Sequence, residues 1–205
     1  AGDNNSTITN NLQGGAQLTF TGNFWSNANN TGNRTMTIGG NGNTTINGNI
    51  IAASAAFDHI LTKTGTGTLT LTGTASTLDG TVNVNGGTVA INDWRAITNN
   101  TSIIDIGTGT TSATLSVIGN NVSQANLTTS KVLRLGGTTG GATVLANQTG
   151  TSPGLIFNAT TFATSANGLK TLTLGGTNLA SNTINSIIVN STSATSLAKI
   201  DAGKW

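Results

Sequence analysis

The 205-residue chain contains no cysteine, tyrosine or glutamate, only one proline and one histidine, and just 7% charged residues. Without cysteine there is no disulfide framework, no thiolate metal site and no cysteine nucleophile. Stability must come from packing. Glu is absent, Lys and Arg are scarce, and no stretch carries apolar residues at the 3.6-residue helical period, so almost no helix is expected. Ala52 to Phe57 (AASAAF) is short enough for one helical turn at most and is read as a loop. No apolar run approaches the length of a transmembrane helix, and the opening AGDNNSTITN is not a signal peptide. Membrane insertion by this segment is therefore not expected, and an export signal and anchor are expected to lie outside it.

Eight Lys and Arg against six Asp give a formal net charge of +2. Arg34, Lys63, Arg95, Arg134, Lys170 and Lys199 stand singly, so the clustered basic footprint of a nucleic-acid binder is missing. No nucleic-acid partner is expected.

What the chain does have is 41 Thr, 28 Asn and 28 Gly, nearly half of its residues. Such a bias fits a disordered polar tract, or a β fold with Thr on the outside and Gly and Asn in the turns. The second reading wins on detail. ATLSVIG, KVLRLGG, LKTLTLGG and NSIIVNS alternate apolar with small polar residues at the strand period of two. Strands are expected at 16–21, 35–38, 44–51, 60–63, 67–72, 81–84, 87–91, 102–106, 113–118, 132–135, 142–146, 154–157, 170–174, 183–190 and 197–200. Gly-Gly pairs at 14–15, 39–40, 86–87, 136–137, 140–141 and 175–176 mark corners between them. Rungs of roughly 20–25 residues would make roughly nine turns of a β-solenoid.

A long internal repeat supports a stacked architecture. Thr35 to Leu69 (TMTIGGNGNTTINGNIIAASAAFDHILTKTGTGTL) and Thr171 to Trp205 (TLTLGGTNLASNTINSIIVNSTSATSLAKIDAGKW) both open T-x-T-φ-G-G, pass through TIN, and close K-x-x-x-G. Thr35/Thr171, Gly39/Gly175, Lys63/Lys199, Gly67/Gly203 and Leu69/Trp205 align at one offset, with a two-residue slip in the polar turn between them. Solenoids tolerate such slips, because insertions bulge at corners while strands keep stacking. One unbroken solenoid over 1–205 is expected, either cut from a longer repetitive polypeptide or stacking on further copies through its ends.

The span Ile60 to Ile91, ILTKTGTGTLTLTGTASTLDGTVNVNGGTVAI, resembles the autotransporter-associated β-strand repeat. Lys63, Gly65, Gly67, Leu69, Leu71 and Gly73 match the first half of that pattern, and Gly80, Val82, Val84, Gly86, Gly87 and Val89 the second. The half-copy SLAKIDAGKW keeps Lys199, Gly203 and a bulky Trp205 but has Asp201 in place of Gly65. The resemblance implies an all-β, right-handed parallel β-helix in a secreted bacterial surface protein. In TLTLT, Leu69 and Leu71 are expected to face a dry core while Thr66, Thr68, Thr70 and Thr72 line the outside.

Candidate chemistry is sparse. A glycosidase needs paired carboxylates, yet Asp3, Asp58, Asp79, Asp93, Asp105 and Asp201 are scattered; Asp79 and Asp105 are the pair most open to meeting across rungs. His59 beside Asp58 is the one His-Asp neighbourhood, with no nucleophile near it in sequence. Gly39 to Thr44 (GGNGNT) is similar to a calcium nonapeptide, but Asn43 stands where a carboxylate should be. The N-x-S/T triplets, such as those at Asn126 and Asn158, arise by chance at this composition. Trp25, Trp94 and Trp205 are candidate interaction aromatics for sugars or neighbouring chains, with burial the competing reading. An ice-binding face would need T-x-T pairs recurring at rung spacing, and the linear sequence does not repeat them so. The expectation is a non-enzymatic, cofactor-free component of an extracellular fibre or stalk that stacks on adjoining repeats or copies. A glycan-binding adhesin is the alternative.

Overall fold

A computed structural model describes residues 5–26, 32–52, 57–97, 103–159 and 161–205. Side chains of Trp25 and Ser26 lie outside that description, as does most of the Ala52–Phe57 loop.

The chain winds through successive rungs of a parallel β-solenoid. The first rungs carry β1 (Ser6–Thr9), β2 (Gln17–Phe20) and β3 (Phe24–Ser26), then β4 (Arg34–Gly39), β5 (Asn43–Ile46) and β6 (Ile50–Ala52). Next come β7 (His59–Lys63) and β8 (Thr68–Leu71), then β9 (Val82–Val84) and β10 (Gly87–Ile91), closed by a 3₁₀ turn at Trp94–Ala96. β11 (Ile103–Gly109) and β12 (Ala113–Val117) are followed by a one-turn helix, Gln124–Leu127, and β13 (Thr128–Thr129). The last rungs hold β14 (Val132–Gly137), β15 (Ala142–Ala146) and β16 (Ile156–Phe157), then β17 (Thr161–Thr164), β18 (Lys170–Gly176) and β19 (Thr183–Ile184), then β20 (Ile187–Ile188) and β21 (Thr195–Lys199).

Two sheets of eight strands form two sides, one running from β1 to β20 and the other from β2 to β21. The third side is interrupted, with β3 paired to β6 and β13, β16 and β19 paired together. Following the first sheet, Ser6 stacks on Met36, Met36 on Leu61, Leu61 on Val82, Val82 on Ile104 and Ile104 on Leu133. These steps of 21 to 30 residues exceed the expected 20–25 in several rungs, which is why the chain makes about seven turns rather than nine.

Register explains the composition. Leu69, Val89, Leu115, Val144 and Leu174 stack as one inward column of the second sheet, while Thr68, Thr88, Thr114, Thr143 and Thr173 stack outward beside them. The inward residues are at most 6% exposed. Each fully buried aliphatic side chain contributes roughly 1.5–3 kcal/mol, and side chains alternate across the sheet because successive Cβ atoms point to opposite faces.

Asparagine has a distinct use. At the corners its side-chain oxygen accepts a backbone N–H from the adjacent rung: Asn11 from Asn41 (3.2 Å), Asn23 from Asn49 (2.9 Å), Asn33 from Asp58 (3.0 Å), Asn43 from Thr68 (3.0 Å) and Asn147 from Thr177 (3.1 Å). Asn49 takes two, from Thr74 and Ala75, at 2.9 Å each. These clamps satisfy corner N–H groups that leave the strand ladders, which the backbone cannot leave unpaired.

Seventeen of the 21 strands overlap expected segments, and the differences have physical causes. The 44–51 segment breaks into β5 and β6 because Asn47-Gly48 turns a corner, and 183–190 breaks likewise at Asn185-Ser186. β1, β3, β13 and β17 were not expected, since STIT, FWS, TT and TFAT are too short to show a hydrophobic period.

Candidate functional site

The repeat residues gather at the corners. Lys63 ends β7, stacked between the aliphatic Ile38 and Val84 of the adjacent rungs, and is 2% exposed. Its Nζ turns back to donate to the carbonyls of Thr64 (2.6 Å) and Gly65 (3.1 Å). Burial pulls its ammonium pKa down to about 8, because the charged form loses hydration. Lys199 ends β21 in the same manner, donating to the carbonyls of Ile200 and, at 2.8 Å, Asp201. Gly65 has φ +71° and Asp201 has φ +58°, so the substitution keeps the left-handed turn that Asp tolerates better than most residues. The Asp201 carboxylate also accepts the Gly176 N–H at 2.9 Å.

Gly67 and Gly203 share a second requirement. A Cβ on Gly67 would lie 2.1 Å from the Gly42 carbonyl oxygen, and one on Gly203 would lie 2.5 Å from that of Gly176. Both glycines donate backbone hydrogen bonds across rungs, to Gly40 and Gly176 respectively. Leu69 and Leu71 are buried and Thr66 is exposed, with Thr68, Thr70 and Thr72 partly so, as the repeat implied. Gly73 packs on the Asn49 corner below it, Gly86 lies in the turn from β9 to β10, and Gly87 opens β10 with φ +62°.

The structure adds something that the sequence alignment hides. Residues 35–38 lie in the first sheet but their counterparts 171–174 lie in the second, and Lys63 and Lys199 are displaced in the same way. The repeated unit is a side plus its corner, not a whole turn.

The aromatic candidates fare differently. Trp94 is 4% exposed and packs edge-on to Phe157 at 5.6 Å, so its ring is a core residue and not a surface for sugars. Trp205 is half-buried, stacked on Phe157 at 6.3 Å with its indole N–H donated to the Gly175 carbonyl at 2.8 Å. Trp25 sits in β3, paired with Ile51; its ring falls outside the described residues.

Among the described residues, titratable groups are engaged in separate pairs. His59 pairs with Asp79 at 2.9 Å rather than with its neighbour Asp58, and the same Asp79 oxygen accepts the His59 backbone N–H. Asp105 is held by Arg134, its partner in the next strand, so in place of an Asp79–Asp105 pairing each carboxylate has its own partner, His59 and Arg134. Asp93, fully buried, accepts from the backbone and guanidinium of Arg95. Among the described residues no three His, Asp or Glu side chains stand where they could share a metal ion. In GGNGNT the amides bind protein: Asn41 accepts from the Thr66 hydroxyl and Asn43 from the Thr68 N–H.

Two surface features remain. The five-Thr outer column does recur at rung spacing, which the linear sequence concealed, but the neighbouring column reads Thr70, Ala90, Ser116, Leu145, Gly175. A two-column T-x-T array is not formed. The second feature is a notch of about 380 Å³ at the corner between the long sheets, lined by Gly65, Thr66, Asn85, Gly86, Gly87, Thr111 and Ser112.

Comparison with known proteins gives one family: residues 61–91 match the model described as passenger-associated-transport-repeat. No curated protein and no solved structure matches the chain.

Proposed function

We propose that this chain, whose residues 61–91 form an autotransporter passenger repeat, is a non-catalytic structural shaft displayed on the outside of a bacterial cell. The observation that carries the reading is the pair of eight-stranded parallel ladders, tied at the corners by asparagine clamps. The two long ladders run from rung to rung through the stack, so load along the axis is shared between them at each step. Seven rung steps at about 4.8 Å make a rod roughly 34 Å long.

Its partners are adjoining rungs, of this polypeptide or of another copy. Leu197 stacks in register on buried Leu172 and is nonetheless 59% exposed. A core-facing leucine in that state, beside the unpaired edge of β21, is suited to cover by one more parallel rung.

Antibody raised against the purified chain tests the assignment by labelling whole cells. Intact cells should label as strongly as permeabilised ones, with the label standing off the membrane in electron micrographs. Labelling that appears only after permeabilisation would overturn the surface reading.

A further inference from the structure

The notch at the corner between the two long sheets arises from unequal turns. Only Asn85 and Gly86 join β9 to β10, whereas Thr64–Gly67 join β7 to β8 on the neighbouring rung. On the opposite side the end of β11 shifts register after Ile106 and folds outward, closed by paired Thr108 and Thr111 N–H···O bonds of 3.0 and 2.8 Å. The recessed rung therefore lies between two protruding ones. Its floor is the backbone of Gly86 and Gly87, and its walls are Thr66, Thr111 and Ser112.

Asn85 sets this corner apart. Among the described asparagines only Asn85, Asn126 and Asn167 make no side-chain hydrogen bond within the chain, the others being committed chiefly to clamps between rungs. The Asn85 amide thus presents two donors and an acceptor to the notch. The Ser112 hydroxyl accepts the Gly141 N–H at 2.9 Å and keeps its own proton to donate; the Thr66 hydroxyl donates to Asn41 and keeps its lone pairs.

That lining selects a ligand chemistry. No charged side chain lines the notch, so an ionic ligand would give up hydration without a partner. No aromatic ring is there to stack on a planar ligand, and an apolar one would leave the amide and hydroxyls unpaired. An uncharged polyhydroxyl ligand matches, since its hydroxyls donate and accept as these groups do, and its C–H face can lie on a floor without side chains. We infer that the notch formed by Thr66, Asn85, Gly86, Gly87, Thr111 and Ser112 binds a neutral mono- or disaccharide unit. Its volume is at the small end of ligand pockets. This deepens the surface reading and rests on it for its biological setting.

The test is an amide-detected NMR titration of the purified chain with a panel of neutral disaccharides. Saturable shifts confined to Thr66, Asn85–Gly87, Thr111 and Ser112 are expected with at least one of them. Asn85→Ala removes an unengaged amide, and Gly86→Ala places a methyl on the floor, 3.3 Å from the nearest atom, the Gly65 carbonyl oxygen. Each should weaken binding about tenfold or more, Asn85→Ala by the loss of one or two hydrogen bonds and Gly86→Ala by a methyl that takes up room on the floor. Asn167→Ala, which removes a similarly unengaged amide elsewhere, should bind as the parent does. No saturable shift with any sugar, or equal binding by Asn85→Ala and Asn167→Ala, would overturn the inference. Because the titration uses purified protein, failure here leaves the whole-cell labelling result untouched.

Discussion

Asn182 and Asn43 clamp neighbouring rungs through the same kind of bond in opposite surroundings, and their alanine variants should separate what a clamp is worth from what its burial adds. Asn182 is 4% exposed. It accepts the Leu155 N–H at 2.8 Å and donates to the carbonyls of Lys204 (2.6 Å) and Ala180 (3.3 Å). Leu155 is fully buried, so its N–H would find no water after truncation, at a cost of roughly 1–3 kcal/mol, with the lost donors adding about 1 kcal/mol. Asn43 is exposed and accepts the Thr68 N–H at 3.0 Å; water replaces it, and the loss should be about 0.5–1 kcal/mol. Asn182→Ala should therefore destabilise by about 3 kcal/mol and Asn43→Ala by under about 1. Urea unfolding followed by circular dichroism measures both, with an unchanged m value showing that the same surface unfolds. Hydrogen exchange at the Leu155 amide locates the damage. Losses within about 0.5 kcal/mol of each other would refute the claim that burial decides the strength of these clamps.

Stability should also rise with pH across the lysine range. Burial lowers Lys63 and Lys131 to about 8 from 10.5, so between those values the unfolded chain binds more protons than the folded one. Each lysine then adds about 1 kcal/mol between pH 8 and 9, and Lys63→Met should remove one share of that slope in denaturation curves taken at both pH values. Gly67→Ala, whose Cβ would collide with the Gly42 carbonyl oxygen, should cost several times more than Gly22→Ala, where nothing lies within 4 Å; thermal melts of the two compare them. Leu115→Ala at the centre of its column should lose about 2–5 kcal/mol by chemical denaturation. Arg134→Ala, which breaks a partly exposed pair with Asp105, should lose under about 1 kcal/mol, less still at high salt.

Much of the architecture is legible in particular residues. The alternation in TLTL and ATLSV places Leu69, Leu71 and Leu115 inside, because period two leaves no other face for them. Lys63, Gly65 and Gly67 are readable as members of the repeat; that they form a corner, with a left-handed turn at Gly65 and a close backbone approach at Gly67, comes from the structure. The asparagine clamps were not legible: each joins residues about 25–30 apart, and nothing local says which side chain meets which N–H. The notch was hidden for a related reason. It depends on the Asn85-Gly86 turn being shorter than its neighbours on adjacent rungs, and rung boundaries appear only once the register is known. Trp94 misleads because an aromatic in a polar sequence has the same appearance whether it anchors a ligand or fills a core beside Phe157.

The displacement of the long repeat by one side has a consequence for how such a chain can lengthen or shorten. Recombination between the DNA encoding residues 35–69 and 171–205 would excise a block that is not a whole number of turns. A structure built on whole-turn units would lose its register. Here the joined halves would still meet strand to strand and corner to corner, with the residues after the junction displaced by one side of the solenoid. The surface patterns carried by each side would be reassigned to a new direction in space while the interior stayed continuous. A gene of this kind can therefore reshuffle which features share a face without first having to invent a new core.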